Sequence, residues 1–241
     1  IAEGNIPNHR NWSKIGFHAA ISSTELDMAP YLAATYVFPS TALTMTIGSS
    51  NASDTANGTG GLGVRTVRVY YLDSGYNEKE VVVNLSGSTH TLVATDIFRL
   101  NNVRCITTGS TYAAVGNISI TSGSVTYGYI SATKTRARQC IWTVPTCCSL
   151  FITQIAFSCS DQAASKFVRF TTRANFDNLA GVVLPRGLFM PFNEVTLNNT
   201  AYFRELNPPT KLSVTTDLKV SAISNSAAMG TCSLRGWIET T

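Results

Sequence analysis

Apolar residues recur at every second position along most of this chain. Leu43, Met45 and Ile47 alternate with Thr44, Thr46 and Gly48, and Phe151, Thr153, Ile155, Phe157 and Cys159 share one face of a later run. A period of two is the signature of a strand with one buried face. Similar short runs follow one another: 64–71, 78–85, 91–93, 97–100, 103–107, 117–121 and 126–130, then 140–145, 149–158, 166–173, 182–190, 202–206, 211–215, 218–222 and 231–239. Residues 31–48 add two strands around a turn at Pro39-Ser40. Turn residues punctuate the runs: Asp73-Ser74-Gly75, Gly87-Ser88, Gly109-Ser110 and Pro208-Pro209. Beyond a short turn near Thr24–Tyr31, no window carries a helical period. Strands spaced about 8–12 residues apart predict a sandwich or jelly roll.

The fold class expected is therefore all-β: tandem antiparallel β-sandwich or jelly-roll domains with an N-terminal arm. The arm covers 1–30, a first β-sandwich domain 31–132 and a second 133–241. The arm is assigned because 1–30 shows little periodicity. Trp12, Ile15 and Phe17 give it something to dock with, on its own domain or a neighbour. On this reading, deleting residues 1–20 leaves a folded domain. At the seam, Lys134, Arg136 and Arg138 alternate. A strand would put all three on one face, against a polyanion or an acidic subunit; a solvated strand or linker face explains them equally.

Composition narrows the function classes. The chain has 241 residues, of which only 13% are charged, with a net charge of +4. Ser, Thr and Asn replace the usual charges, which suits a surface spent on subunit contacts. A nucleic-acid partner is not expected, because only the short 134–138 run is basic. No apolar run approaches the roughly 20 residues that span a bilayer, so no membrane partner is expected. There is no signal peptide and no initiator Met, so Ile1 is read as a trimmed N-terminus or the start of a segment of a longer chain.

None of the six cysteines sits in a CxxC. They are expected as free thiols in a core, which favours a reducing compartment, with a Cys140–Cys147 disulfide as the alternative. On a strand, Cys147 and Cys148 would point to opposite faces, which is poor geometry for a shared metal.

Catalytic motifs are wanting. Gly58, Gly60 and Gly63 form a GxGxxG, but a polar loop precedes them and Val64–Tyr71 follows as a strand. A dinucleotide fingerprint needs the reverse context, strand then helix. There is no GxSxG, HExxH or P-loop, and His9, His18 and His90 are scattered. Asp73 and Glu78 could hold Ca²⁺, although turn chemistry alone explains Asp73. Asn-x-Ser/Thr triplets at Asn11, Asn51, Asn57, Asn84, Asn117 and Asn198 are what chance supplies in so Asn-, Ser- and Thr-rich a chain. No catalytic residue, cofactor or metal ligand is assigned.

Three blocks carry a resemblance. They are LTMTIGSSNASDTANGTGG, GVRTVRVYYLDSGYNEKEVVVNLSGST and DIFRLNNVRCITTGSTYAAVGNISIT. They are similar to a virion structural protein family of marine phages and large algal viruses, with its DTA-x-GTG loop, RTV strand and G-N-I strand. The later WTVPTCCSLFITQIAFS resembles the family's Thr-x-Pro strand, although Thr146-Cys147-Cys148 stands where that family has Gly-Lys-Thr. The first 30 residues match poorly.

The resemblance implies a non-enzymatic virion component: a minor capsid or capsid decoration protein, or a fibre or tail appendage. Its expected partners are other virion proteins, major capsid or tail, and further copies of itself, with a trimer as the expected homo-oligomer. The interface candidates are Trp12, Ile15 and Phe17 in the arm, Tyr70 and Tyr71 on the hairpin, and Lys134, Arg136 and Arg138 at the seam; aromatic and Arg side chains are the usual anchors. The alternative is a receptor- or glycan-binding fibre module using Trp142, Tyr112 and Tyr127. A polysaccharide depolymerase would need paired carboxylates about 5–9.5 Å apart, and the chain offers few acids.

Overall fold

The computed structural model describes residues 6–57, 61–160, 167–175 and 189–240. The described chain is strand and loop, antiparallel throughout, with no helix. It divides into two compact units, Ile1–Phe38 with Arg138–Thr241, and Pro39–Ala137. The second unit is thus inserted into the first. Each is two sheets around its own core.

In the discontinuous unit, one sheet has the order β1-β16-β11-β14: His9–Ile21, Ala228–Thr240, Cys148–Ser160 and Ala201–Leu212. The other has β10 (Ile141–Thr143), β15 (Asp217–Ser224), β12 (Val168–Ala174) and β13 (Met190–Leu197), with β2 (Leu26–Asp27) on β15. Period-two alternation turns Ile155 and Phe157 of β11 and Cys232, Leu234 and Ile238 of β16 inward. Phe157 stacks on Phe170 of the facing sheet at 4.9 Å between ring centres.

The N-terminal stretch packs on its own unit, as a full strand rather than an irregular lead-in. β1 runs antiparallel to β16 from His9↔Glu239 to Ile21↔Ala228. Its inward residues are Trp12, Lys14, Gly16 and His18, all buried. That face joins an aromatic, an ammonium, a glycine and an imidazole, so apolar alternation never marks it. The imidazole is satisfied by Leu32 O, 2.7 Å from Nε2, and by the Ala20 N–H, 3.1 Å from Nδ1.

One predicted strand is absent: residues 31–38 run without strand structure. The 131–140 segment, left open between strand and linker, also runs without strand structure. In the latter, Thr133 has φ +66° and Lys134 N–H donates to Ser131 O at 3.1 Å. A turn there removes the shared face that alternation would have given Lys134, Arg136 and Arg138. The expected strand over 182–190 lies mostly outside the described residues.

The inserted unit pairs β6-β3-β8-β9 (Thr91–Ile97, Leu43–Ser49, Ile118–Ser122, Val125–Ile130) against β5-β4-β7 (Glu78–Asn84, Val64–Leu72, Arg99–Thr108). Met45, Ile47, Val67, Val69, Ile118 and Ile120 are buried between the sheets. The β4–β5 turn forms as its sequence predicts. Asp73 Oδ1 accepts from the N–H groups of Gly75 and Asn77 at 2.9 and 3.0 Å, and Lys79 Nζ lies 3.2 Å from Oδ2. These contacts give Asp73 a turn-forming role.

The loop before β4 is built on Asp54, which is fully buried. Its Oδ1 accepts from Val64 N–H (2.8 Å) and Val115 N–H (2.9 Å). Its Oδ2 accepts from Ser49 Oγ (2.6 Å) and Gly116 N–H (2.8 Å). Gly63 passes so close that a methyl group there would stand 1.9 Å from Oδ1. The loop glycine therefore answers to a carboxylate within the chain, not to a phosphate.

Two outcomes follow for stability. Asp54→Ala strands three N–H donors and a hydroxyl at a buried site, each worth about 1–3 kcal/mol; the unfolding midpoint in urea should fall steeply, and an unchanged midpoint would contradict the role given to Asp54. Deleting residues 1–20 removes β1 with Trp12 and should abolish the cooperative unfolding transition of the discontinuous unit, read by near-UV circular dichroism.

Candidate functional site

Trp12 is buried and packs edge-on against Trp142 at 5.3 Å, so the arm's expected anchor and the expected sugar platform are both core residues. Ile15 and Phe17 do face outward and are half-buried, with the Arg138 guanidinium 4.5 Å over the Phe17 ring. Tyr70 is half-buried beneath Arg104 at 5.1 Å. Tyr71, its strand neighbour, points the opposite way, is buried, and donates its O–H to Asp96 at 3.1 Å. Lys134 and Arg136 are exposed, and Arg136 bridges to Arg104 through the backbone. Tyr112 is 79% exposed, and Tyr127 packs against the core of the inserted unit. Trp12, Trp142 and Tyr71 thus belong to the cores of their own units.

Thiol chemistry also differs from expectation. Cys147 and Cys148 are joined to each other, which displaces both the all-free reading and the Cys140–Cys147 alternative. They lie in a turn closed by Cys148 N–H to Pro145 O at 3.2 Å, and only Cys148 enters β11. Opposite-face geometry, which holds along a strand, does not apply there. Cys105, Cys140, Cys159 and Cys232 are free thiols.

A surface does form where the sequence singled out nothing, on the outer face of β1-β16-β11-β14. Strand register lays the side chains in rows. Asn11, Trp237, Phe151 and Lys211 form one row, and Ser13, Arg235, Gln154 and Glu205 the next. Ile15, Ser233, Ala156 and Phe203 form a third, and Phe17, Thr231, Ser158 and Ala201 a fourth. Trp237 and Phe151 stack nearly parallel, 5.3 Å apart, and Lys211 Nζ lies 5.5 Å from the Phe151 ring centre.

A shallow depression of about 580 Å³ runs beside this platform, lined by Asn11, Ser13, Thr153, Gln154, Arg235 and Trp237. A second, of about 260 Å³, is floored by Ala156, Ser158, Thr231 and Ser233 and walled by Phe203, itself 61% exposed. The middle of the face is low because its residues are small. The rows hold one carboxylate, Glu205, and no imidazole, so they offer hydrogen bonds, cations and ring faces rather than an acid–base pair. The available signal was the polar face of β16, Thr231, Ser233, Arg235 and then Trp237: an outward aromatic closing a hydrophilic alternation.

The opposite sheet carries a buried ionic group. Asp27 is fully buried and accepts from Lys219 Nζ (3.0 Å), Ser221 Oγ (2.6 Å) and Tyr36 N–H (2.6 Å). Lys219 also lies 4.6 Å from the Phe189 ring centre. Asp27 thereby straps the irregular 28–38 segment to β15. Lys14, on the inward face of β1, has its pKa lowered from 10.5 to about 8 by burial, opposed by the nearby Cys140.

No family model matches the sequence, and no curated protein matches it. The solved structures it matches include the infectious bursal disease virus Gt strain, at 9% identity over 99% of this chain and 73% of that chain, with a TM-score of 0.22. They also include the Gx strain, at 8% identity over 97% and 75%, TM-score 0.23, and the VP2 subviral particle of the same virus, at 9% over 100% and 79%, TM-score 0.19. Superposition at this level does not establish a shared fold.

Two substitutions test the buried charges. Lys219→Met leaves the Asp27 carboxylate buried without its cation and should lose about 3–5 kcal/mol in chemical denaturation. For Lys14, the unfolded chain keeps its proton up to pH 10.5 whereas the folded chain sheds it near 8. Between those values the unfolded state binds more protons, so stability rises with pH. The wild type should gain on Lys14→Met by up to ~3 kcal/mol across that window; a pH-independent difference would contradict the assignment.

Proposed function

We propose that this chain is a non-enzymatic structural component of a virion, capsid-associated as a minor capsid or decoration protein. It assembles as a homo-oligomer, a trimer, and through contacts with other virion proteins. One observation carries the reading: the three sequence blocks that resemble the virion family converge on Asp54. The DTA loop supplies the carboxylate, the RTV strand the Val64 N–H, and the G-N-I block the Gly116 N–H. Ser49, from the strand before the loop, completes it. That convergence gives the shared motif a use in closing a β-sandwich, which supports a structural role. A protein of this kind acts by surface, and the outer face of β1-β16-β11-β14 is its proposed contact surface.

Particles of the source virus, analysed by quantitative mass spectrometry, should contain this chain in copy numbers of capsid order. The pair Trp237→Ala and Phe203→Glu, both outside the core, should leave the monomer folded and lower incorporation at least tenfold. Absence of the chain from purified particles would overturn the proposal, and normal incorporation of the double variant would overturn the choice of face.

A second reading, a receptor- or glycan-binding fibre module, is favoured by the Trp237–Phe151 platform. Flat rings beside amides, hydroxyls and Arg235 suit the apolar face and hydroxyl rim of a sugar. Glycan-array binding that is lost in Trp237→Ala would support it over the first, and an array with no binding would remove it.

A further inference from the structure

Cys140 and Cys232 share one buried space between the two sheets of the discontinuous unit. Cys232 lies on the inward face of β16, paired with Gly16 of β1. Cys140 belongs to the facing sheet: its N–H donates to Met28 O at 2.9 Å, and its carbonyl accepts from Val220 N–H of β15 at 3.1 Å. A methyl group on Gly16 would stand 2.6 Å from Cys232 Sγ and 2.8 Å from Cys140 Cβ. Both side chains therefore border the room left by the missing side chain, which sets the two thiols beside each other. Neither is used by the Cys147–Cys148 link.

We propose that Cys140 and Cys232 are a redox pair that closes into a disulfide joining the two sheets. The co-reactant is a small disulfide of the glutathione class. The Cys140 thiolate attacks one sulfur of that disulfide and expels the first small thiolate. The Cys232 thiolate then attacks Cys140 Sγ in the mixed disulfide and expels the second. The protein loses two electrons and two protons, and the oxidant leaves as two thiols. Burial and the neighbouring thiol hold the Cys232 thiol well above its ordinary pKa, so Cys232 is the later of the two to react.

The consequence differs from that of the vicinal pair. Cys147–Cys148 closes a ring of adjacent residues and restrains only its own turn. A Cys140–Cys232 bond would close a long loop and pin opposite layers of the sandwich, the arrangement that most restricts an unfolded chain. A particle protein could fold reduced and be locked after release into an oxidising medium.

The test uses the full chain, denatured and reduced, then refolded in a buffer of reduced and oxidised glutathione, where both thiols are open to exchange before burial. Quenching with iodoacetamide in denaturant and peptide mapping should show the Cys140 peptide linked to the Cys232 peptide, with Cys105 and Cys159 alkylated. The oxidised protein should melt several degrees above protein refolded in glutathione alone, and Cys232→Ala should abolish both the linked peptide and that gain. Recovery of Cys140 and Cys232 as alkylated peptides from correctly refolded, oxidised wild type would overturn the proposal. So would an equal melting gain in Cys232→Ala.

Discussion

A carboxylate taken out of water must be met by donors from every side, and in each unit one such carboxylate organises the irregular chain. Asp54 and Asp27 are both fully buried. Asp54 is held by neutral donors, three backbone N–H groups and a hydroxyl, drawn from three separate places in the sequence. Asp27 is held by an ammonium, a hydroxyl and one N–H. Sheets satisfy their own backbone through their ladders; loops do not. A buried Asp settles a loop's open N–H groups and fixes the path of the chain that donates them.

This constraint explains what the sequence made legible. The inserted unit follows its pattern closely, because its strands alternate cleanly and its β4–β5 turn needs only Asp73 and local N–H groups. Strand β1 was hidden because its inward face carries Lys14, Gly16 and His18, each accommodated by partners distant in sequence. The Lys134–Arg136–Arg138 alternation left a strand and a linker open, and the turn at Thr133 decides for the linker. Periodicity reports a face only where one medium lies on each side.

The outer sheet surface was illegible for another reason. Rows such as Asn11–Trp237–Phe151–Lys211 draw on four strands, and the Thr153/Gln154 irregularity sets which residues of β11 join them. Register across a sheet is long-range information. What composition did convey was the character of that surface. A chain with 13% charged residues must cover itself with hydroxyls and small side chains, and Ser233, Ala156, Thr231 and Ser158 are that cover. Edge strand β14 carries Pro208 and Pro209, which interrupt its capacity to recruit another strand.

The pairing of β1 with β16 also orders events in time. β1 leaves the ribosome long before its sheet neighbour β16, so it waits unpaired while everything between is made. The inserted unit has no such dependence: Pro39–Ala137 contains all its own sheet partners and can close while the rest is still being translated. Until β16 arrives, Trp12 and Ile21 have no core to enter. β16 therefore acts as the clasp of the discontinuous unit, and synthesis interrupted before it leaves the inserted sandwich closed and the discontinuous one open.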